Sequence, residues 1–185
     1  MNTGSELPTK EYLEECFNYD EDTGILYWKV RPLSHFKSER SRDCFNSKFS
    51  FREAGTKGKY IKISITDLSS NRNGYQSHRL IWKLVTGEDP VGYEIDHIDN
   101  DKYNNRFCNL RKATFNQNQH NRLTYQNSHT GVKGIGLFKR NGKYRVRIAV
   151  NNKTHYLGHY NTIEEAKAVH NKFLKELHGD FSNEG

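Results

Sequence analysis

The chain has 185 residues, 34% of them hydrophobic and 12% aromatic, and carries a net charge of +7 at pH 7. That is apolar material for one or two modest cores, with no run long enough for a membrane-spanning helix and no signal peptide. Three scattered cysteines, Cys16, Cys44 and Cys108, without a CxxC pair, argue against a disulfide framework or a structural zinc site and for a reducing, intracellular setting.

Leu7 to Phe17 reads as a short helix, and Tyr19 to Gly24 as a turn leading into a strand that ends at Trp28. Ser34 to Ser50 is polar and is expected to be loop. Lys59 to Ile65 alternates as a strand, Asp67 to Ser77 is again an expected loop, and Arg79 to Thr86 is a helix closed by Gly87. His78 and Arg79, at that helix start, have a DNA-contacting and a structural reading, both open.

Tyr93 to Ile98 alternates apolar and polar residues and runs into the turn-forming Asp99-Asn100-Asp101, so it is a strand carrying Asp96 and His97 near its end. Asn tolerates the left-handed conformation that a turn at Asn100 calls for. Leu110 to Thr114 is a second strand. Thr114 with Gln117 three residues later forms a capping box, which places Asn118 and Asn121 in the first turns of a helix.

That β-loop-β-α unit can converge Asp96, His97 and Asn118 on one cleft. A phosphodiester is anionic and resists attack, so its hydrolysis calls for a base to deprotonate water and a hard cation to neutralise developing charge. Asp96 and Asn118 offer oxygen ligands for Mg²⁺ or Mn²⁺, and histidine titrates near neutral pH, which makes His97 the candidate base. Asn109 is placed to hold the intervening loop by hydrogen bonds to backbone groups.

At these residues the chain resembles the HNH endonuclease family. The resemblance implies Asp96 as metal ligand, His97 as general base, Asn109 as the structural middle residue and Asn118 as second ligand, with His120 an alternative ligand if the helix register differs. Tyr103-Asn104-Asn105-Arg106, Asn109-Leu110-Arg111, the YDxxTGxLxW segment from Tyr19 and HRLIWKLVTGEDP from His78 resemble the phage homing branch.

Charge points the same way. Residues 102–163 hold 12 Lys and Arg and no Asp or Glu, whereas the segments on either side are net acidic. Such a block suits a phosphate backbone and predicts salt-dependent binding.

Within it, Gly134 to Arg140, Lys143 to Val150 and Lys153 to Tyr160 read as three strands split by Asn141-Gly142 and Asn151-Asn152. Val146, Ile148 and Val150 share one face, Arg145 and Arg147 the other. Thr162 to Glu165 is a capping box opening a helix whose Ala166, Val169, Phe173, Leu174 and Leu177 cover that sheet before Gly179 stops it.

Lys133-Gly134-Ile135, Lys143-Tyr144, Tyr156-Leu157-Gly158 and Glu164-Glu165-Ala166 in this frame resemble the Apetala-two/ethylene-response-factor DNA-binding domain. The resemblance implies a sheet laid in the major groove, with Lys133, Lys139, Arg140, Tyr144, Arg145, Arg147, Lys153 and Tyr156 facing DNA.

The combined expectation is an α+β chain. It has an HNH nuclease domain at residues 1–122 with its ββα-metal core at about 93–122, a linker at 123–130, and an Apetala-two-like domain at 131–185. Its activity would be Mg²⁺- or Mn²⁺-dependent, site-specific cleavage of double-stranded DNA of the homing type, nicking as a monomer, with a dimer or a second engagement needed for double-strand breaks. The alternatives are a non-catalytic DNA-binding or transcription-regulating protein and a restriction-type nuclease.

Overall fold

The computed structural model describes residues 6–66, 72–115, 117–118, 130–150 and 153–178. The chain divides into two compact units, Met1–Lys112 and Ala113–Gly185. No helix among the described residues is long and apolar enough to cross a membrane.

The first unit opens with α1 (Lys10–Cys16), shorter than the expected helix because Thr9 caps it, accepting a hydrogen bond from the Tyr12 amide. Phe17 already belongs to β1 (Phe17–Asp20), which pairs antiparallel with β2 (Ile25–Trp28). The expected turn and strand are thus one hairpin. Gly24 closes it at φ +74°, a conformation that a side chain disfavours.

Two expected loops are corrected. Residues 34–50 hold a 3-10 turn (Leu33–His35) and α2 (Glu39–Phe49), capped by Ser38. Polar composition concealed a helix whose Phe45 and Phe49 lie four apart; Phe45 packs edge-on against Trp28, and Arg31 lies over the Trp28, Phe36 and Phe45 rings. In the second loop, residues 67–71 lie outside the described residues, but Arg72–Gln76 forms β4, antiparallel to β3 (Lys62–Thr66) with Tyr75 opposite Ile63. The partner strand, supplying ladder bonds and a buried neighbour, decides there against a polar local sequence.

The next helix, α3 (Ser77–Thr86), starts two residues before the expected Arg79 and ends at Gly87 in the left-handed conformation, as expected. Its Leu80 and Ile81 enter a core with Leu13, Phe17, Leu26, Ile63, Ile95 and Leu110. The strands β5 (Glu94–His97) and β6 (Leu110–Ala113) pair with each other, within a residue or two of their expected bounds.

In the second unit, the Thr114–Gln117 capping box is formed, the Gln117 amide donating to Thr114 Oγ1 and the Thr114 amide to Gln117 Oε1. His120, Asn121, most of the expected linker, the Asn151-Asn152 turn and the helix stop at Gly179 lie outside the described residues. The strands β7 (Ile135–Phe138), β8 (Lys143–Val150) and β9 (Lys153–Tyr160) make an antiparallel sheet in that order. A helix, α4 (Ile163–His178), begins at the Thr162–Glu165 box and packs on the sheet. Val132, Ile135, Val146 and Ala166 form the small core, with Ile148, Leu174 and an unforeseen histidine, His170, also buried.

Candidate active site

Asp96 and His97 are neighbours on β5 and therefore project to opposite sides of the strand; both are buried. On one side Arg111 of β6 reaches Asp96 Oδ2 with Nε and Nη2, each at 3.0 Å. On the other, His97 Nε2 meets Asn105 Oδ1 at 2.9 Å, and its ring lies edge-on to His78 at 4.8 Å and stacks at 6.3 Å with Tyr60. Burial, the nearby His97 and the Arg79 charge together push His78 down to about 3, so it stays neutral beside His97.

After His97 the chain turns sharply. The Asn100 amide donates to the His97 carbonyl, and Asn100 adopts φ +64°, the left-handed conformation anticipated for it. Asn109 ties the two ends of the following loop. Its Oδ1 accepts from the Asp99 amide at 3.1 Å, and its Nδ2 donates to Asp99 Oδ1 at 2.9 Å and to the Asn104 carbonyl at 2.8 Å. Burial works to raise the Asp99 carboxyl, but hydrogen bonds from Asn104, Asn109 and the Asp101 amide outweigh it and hold the group below the usual carboxylate value.

Asp96, His97 and Asn109 therefore stand together in the first unit. Asn118 lies in a helical turn of the second unit, its amide donating to the Thr114 carbonyl at 3.0 Å. Among the described residues no three His, Cys, Asp or Glu side chains gather to hold a metal. The pair singled out from sequence is of another kind, one carboxylate and one amide, whose oxygens are hard donors that suit a hard divalent cation.

Of the two readings of the α3 start, the structural one fits. His78 is buried, and Arg79 donates to the Tyr93 and Pro90 carbonyls, anchoring the approach to β5. Asn105, Tyr60 and His78 were missed as neighbours of His97. The NNR segment contained Asn105, but only the folded loop reveals which Asn faces the imidazole.

In the second unit, Arg145 and Arg147 point away from the buried Val146 and Ile148, and Lys139, Arg140 and Tyr156 are exposed. Register places His159 opposite Arg145 and Tyr156 opposite Arg147; Tyr156 and His159 share a 2.5 Å hydrogen bond, and Arg145 lies over the Phe138 ring. This basic and aromatic face adds Phe138 and His159 to the residues singled out from sequence. Lys133 is half-buried. Tyr144 packs against the core, and Lys153, opposite Val150, shares the Val146 side of the strand pair.

A family model described as HNH endonuclease matches residues 75–120, from the end of β4 through α3, β5 and β6. The chain is 36% identical over 124 residues to Uncharacterized HNH endonuclease L560 of Acanthamoeba polyphaga mimivirus, an alignment covering 66% of this chain and 64% of that protein. It is 30% identical over 105 residues to Protein 3.8 of Escherichia phage T7, covering 57% of this chain and 86% of that protein. The chain thus spans less than two thirds of the mimivirus protein and most of the phage one. No solved structure matches the chain. With Asp96 and His97 ending a buried strand inside the matched segment, residues 75–120 are an HNH endonuclease domain, carried by a chain similar to viral proteins that include an HNH endonuclease.

Proposed function

We propose that the chain is a metal-dependent, site-specific DNA endonuclease of the homing type that nicks double-stranded DNA as a monomer inside the host cell. The observation that carries this reading is the buried Asp96–His97 pair, fixed between Arg111 on one side and Asn105 on the other. His97 takes a proton from water as its oxygen attacks phosphorus; the bond to the 3′ oxygen breaks and that oxygen takes a proton from solvent, leaving 5′-phosphate and 3′-hydroxyl ends. HNH nucleases generally use divalent metal ions, and here Asp96 and Asn118 would hold Mg²⁺ or Mn²⁺, which would supply charge neutralisation at the phosphoryl group and leaving oxygen.

Asn109 braces the loop, and residues 93–122 would form the ββα-metal core of a nuclease domain at 1–122, joined by a linker at 123–130 to an Apetala-two-like domain at 131–185. In that domain the outward Arg145, Arg147 and Tyr156, with Lys133, Lys139 and Arg140, contact DNA, and Lys153 would reach it only from the Val146 side of the sheet; Tyr144 is the member of the set whose ring the core already engages.

Supercoiled plasmid carrying phage genomic fragments, incubated with Mg²⁺ or with EDTA, tests the reading. Metal-dependent open circle that His97→Ala fails to produce supports a nicking enzyme. Linear product would point to double-strand cutting by a dimer or a second engagement, short strict sites to a restriction-type enzyme, and salt-sensitive binding without any cleavage to a DNA-binding regulator.

A further inference from the structure

His97 and Asn105 make a buried polar contact in the first unit. Both residues are buried, Asn105 at 1% exposure, and Oδ1 of Asn105 stands 2.9 Å from His97 Nε2. With the amide oxygen facing the ring, that oxygen accepts and Nε2 donates, and a neutral imidazole then has its lone pair on Nδ1. Asn105 Nδ2, in contrast, is buried with no hydrogen-bond partner among the described residues. Burying an unpaired donor costs stability, so stability alone gives no reason to keep an amide here.

The backbone at Asn105 is gripped from the β1–β2 hairpin. Tyr19 donates its hydroxyl hydrogen to the Asn105 carbonyl at 3.1 Å and accepts from the Phe107 amide at 2.8 Å, bracketing the residue on both sides. Arg106 Nε donates to the Asp22 carbonyl. Gly24 lies so close that a Cβ there would overlap the Arg106 amide nitrogen and the Asn105 carbonyl carbon. The hairpin far from β5 in sequence thus fixes where the Asn105 side chain begins.

We propose that Asn105 is a positioning residue that holds the His97 imidazole in a single orientation and tautomer, proton on Nε2, and that the β1–β2 hairpin clamps Asn105 in place to do so. The catalytic consequence rests on His97 being the base of the proposed cleavage; the tautomer does not. A base held in one orientation meets its water without an added search among ring rotamers, which is the ordinary advantage of a positioned catalytic group.

The test uses the full chain, ¹⁵N-labelled, with imidazole nitrogen shifts read by NMR at mildly alkaline pH beside single-turnover cleavage and DNA binding. Asn105→Asp keeps an oxygen in place; Asn105→Leu keeps the volume without an acceptor. The wild type and Asn105→Asp should show His97 protonated at Nε2, and Asn105→Leu a mixture. The cleavage rate should fall on the order of 10²-fold in Asn105→Leu at unchanged DNA affinity and recover in large part in Asn105→Asp. Tyr19→Phe, which loosens the clamp without touching the amide, should lose an intermediate amount and decides the matter if Asn105→Leu does not fold. An Nδ1-protonated His97 in the wild type, or a wild-type rate and tautomer in folded Asn105→Leu, would overturn the proposal. If the wild type cuts no DNA, the nuclease reading fails while the tautomer comparison still decides the role of Asn105.

Discussion

Arg111 places Nε and Nη2 each 3.0 Å from Asp96 Oδ2 across the β5–β6 pair, and both side chains are largely withdrawn from solvent. A carboxylate so placed is neutralised by its partner strand before any cation arrives. A divalent ion held by Asp96 would compete with the guanidinium or share the carboxylate with it.

Removing the guanidinium should expose that competition. Arg111→Gln is expected to lose about 3 kcal/mol of stability without metal, because it strands a nearly buried carboxylate. Mg²⁺ should then raise the melting temperature of the variant more than that of the wild type, since binding to the folded state alone stabilises it. Thermal melts with and without Mg²⁺ measure both, and a smaller magnesium shift in the variant would take Asp96 out of the metal site.

The brace at Asn109 has its own signature. Asn109→Ala deletes three hydrogen bonds, to the Asp99 amide, the Asp99 carboxylate and the Asn104 carbonyl. At roughly 1 kcal/mol each the loss should be about 3 kcal/mol in urea unfolding, with cleavage reduced as well. Full cleavage at unchanged stability would mean that the loop is held by its other turns.

Acid should destabilise the first unit through His78. Folded, His78 takes a proton only near about 3; unfolded, it returns to its ordinary 6.5, so the unfolded chain binds more protons between those values. The contribution of His78 is therefore complete above about 6.5 and is lost as pH falls toward 3. Urea midpoints measured from neutral to acid pH should decline across that window, and the decline should be shallower in His78→Gln. Equal slopes would show that other groups control acid unfolding.

The outward arginines of β8 should count as phosphate contacts. DNA affinity should fall linearly on a log-log plot against salt, and Arg145→Gln and Arg147→Gln should each reduce the slope by about 1. A flat salt dependence in the wild type would remove the sheet as a phosphate-binding face.

Local sequence chemistry carried far where it matched what the fold required. The capping boxes at Thr114 and Thr162 formed as spelled out, Gly87 closes α3, Asn100 takes the left-handed turn, and the alternation of Arg145, Val146, Arg147 and Ile148 became an outer and an inner face. Each depends on interactions within a few residues, which the order of side chains alone specifies. Segments 34–50 and 72–76 were illegible for the converse reason: α2 is sustained by aromatic contacts with Trp28 and Arg31, and β4 by its ladder to β3, both supplied from outside the segment.

The same division runs through the site. Asp96, His97 and Asn118 could be singled out as candidates from residue type and spacing, because the chemistry of phosphodiester cleavage admits few donors and bases, and Asn109 as a candidate loop brace. That Arg111 neutralises Asp96, that Asn105 rather than Asn104 faces His97, and that Tyr19 and Gly24 grip the Asn105 loop were decided only by tertiary structure. Those contacts join residues up to 88 apart in the chain, and no local periodicity encodes which of two adjacent asparagines a turn will carry inward.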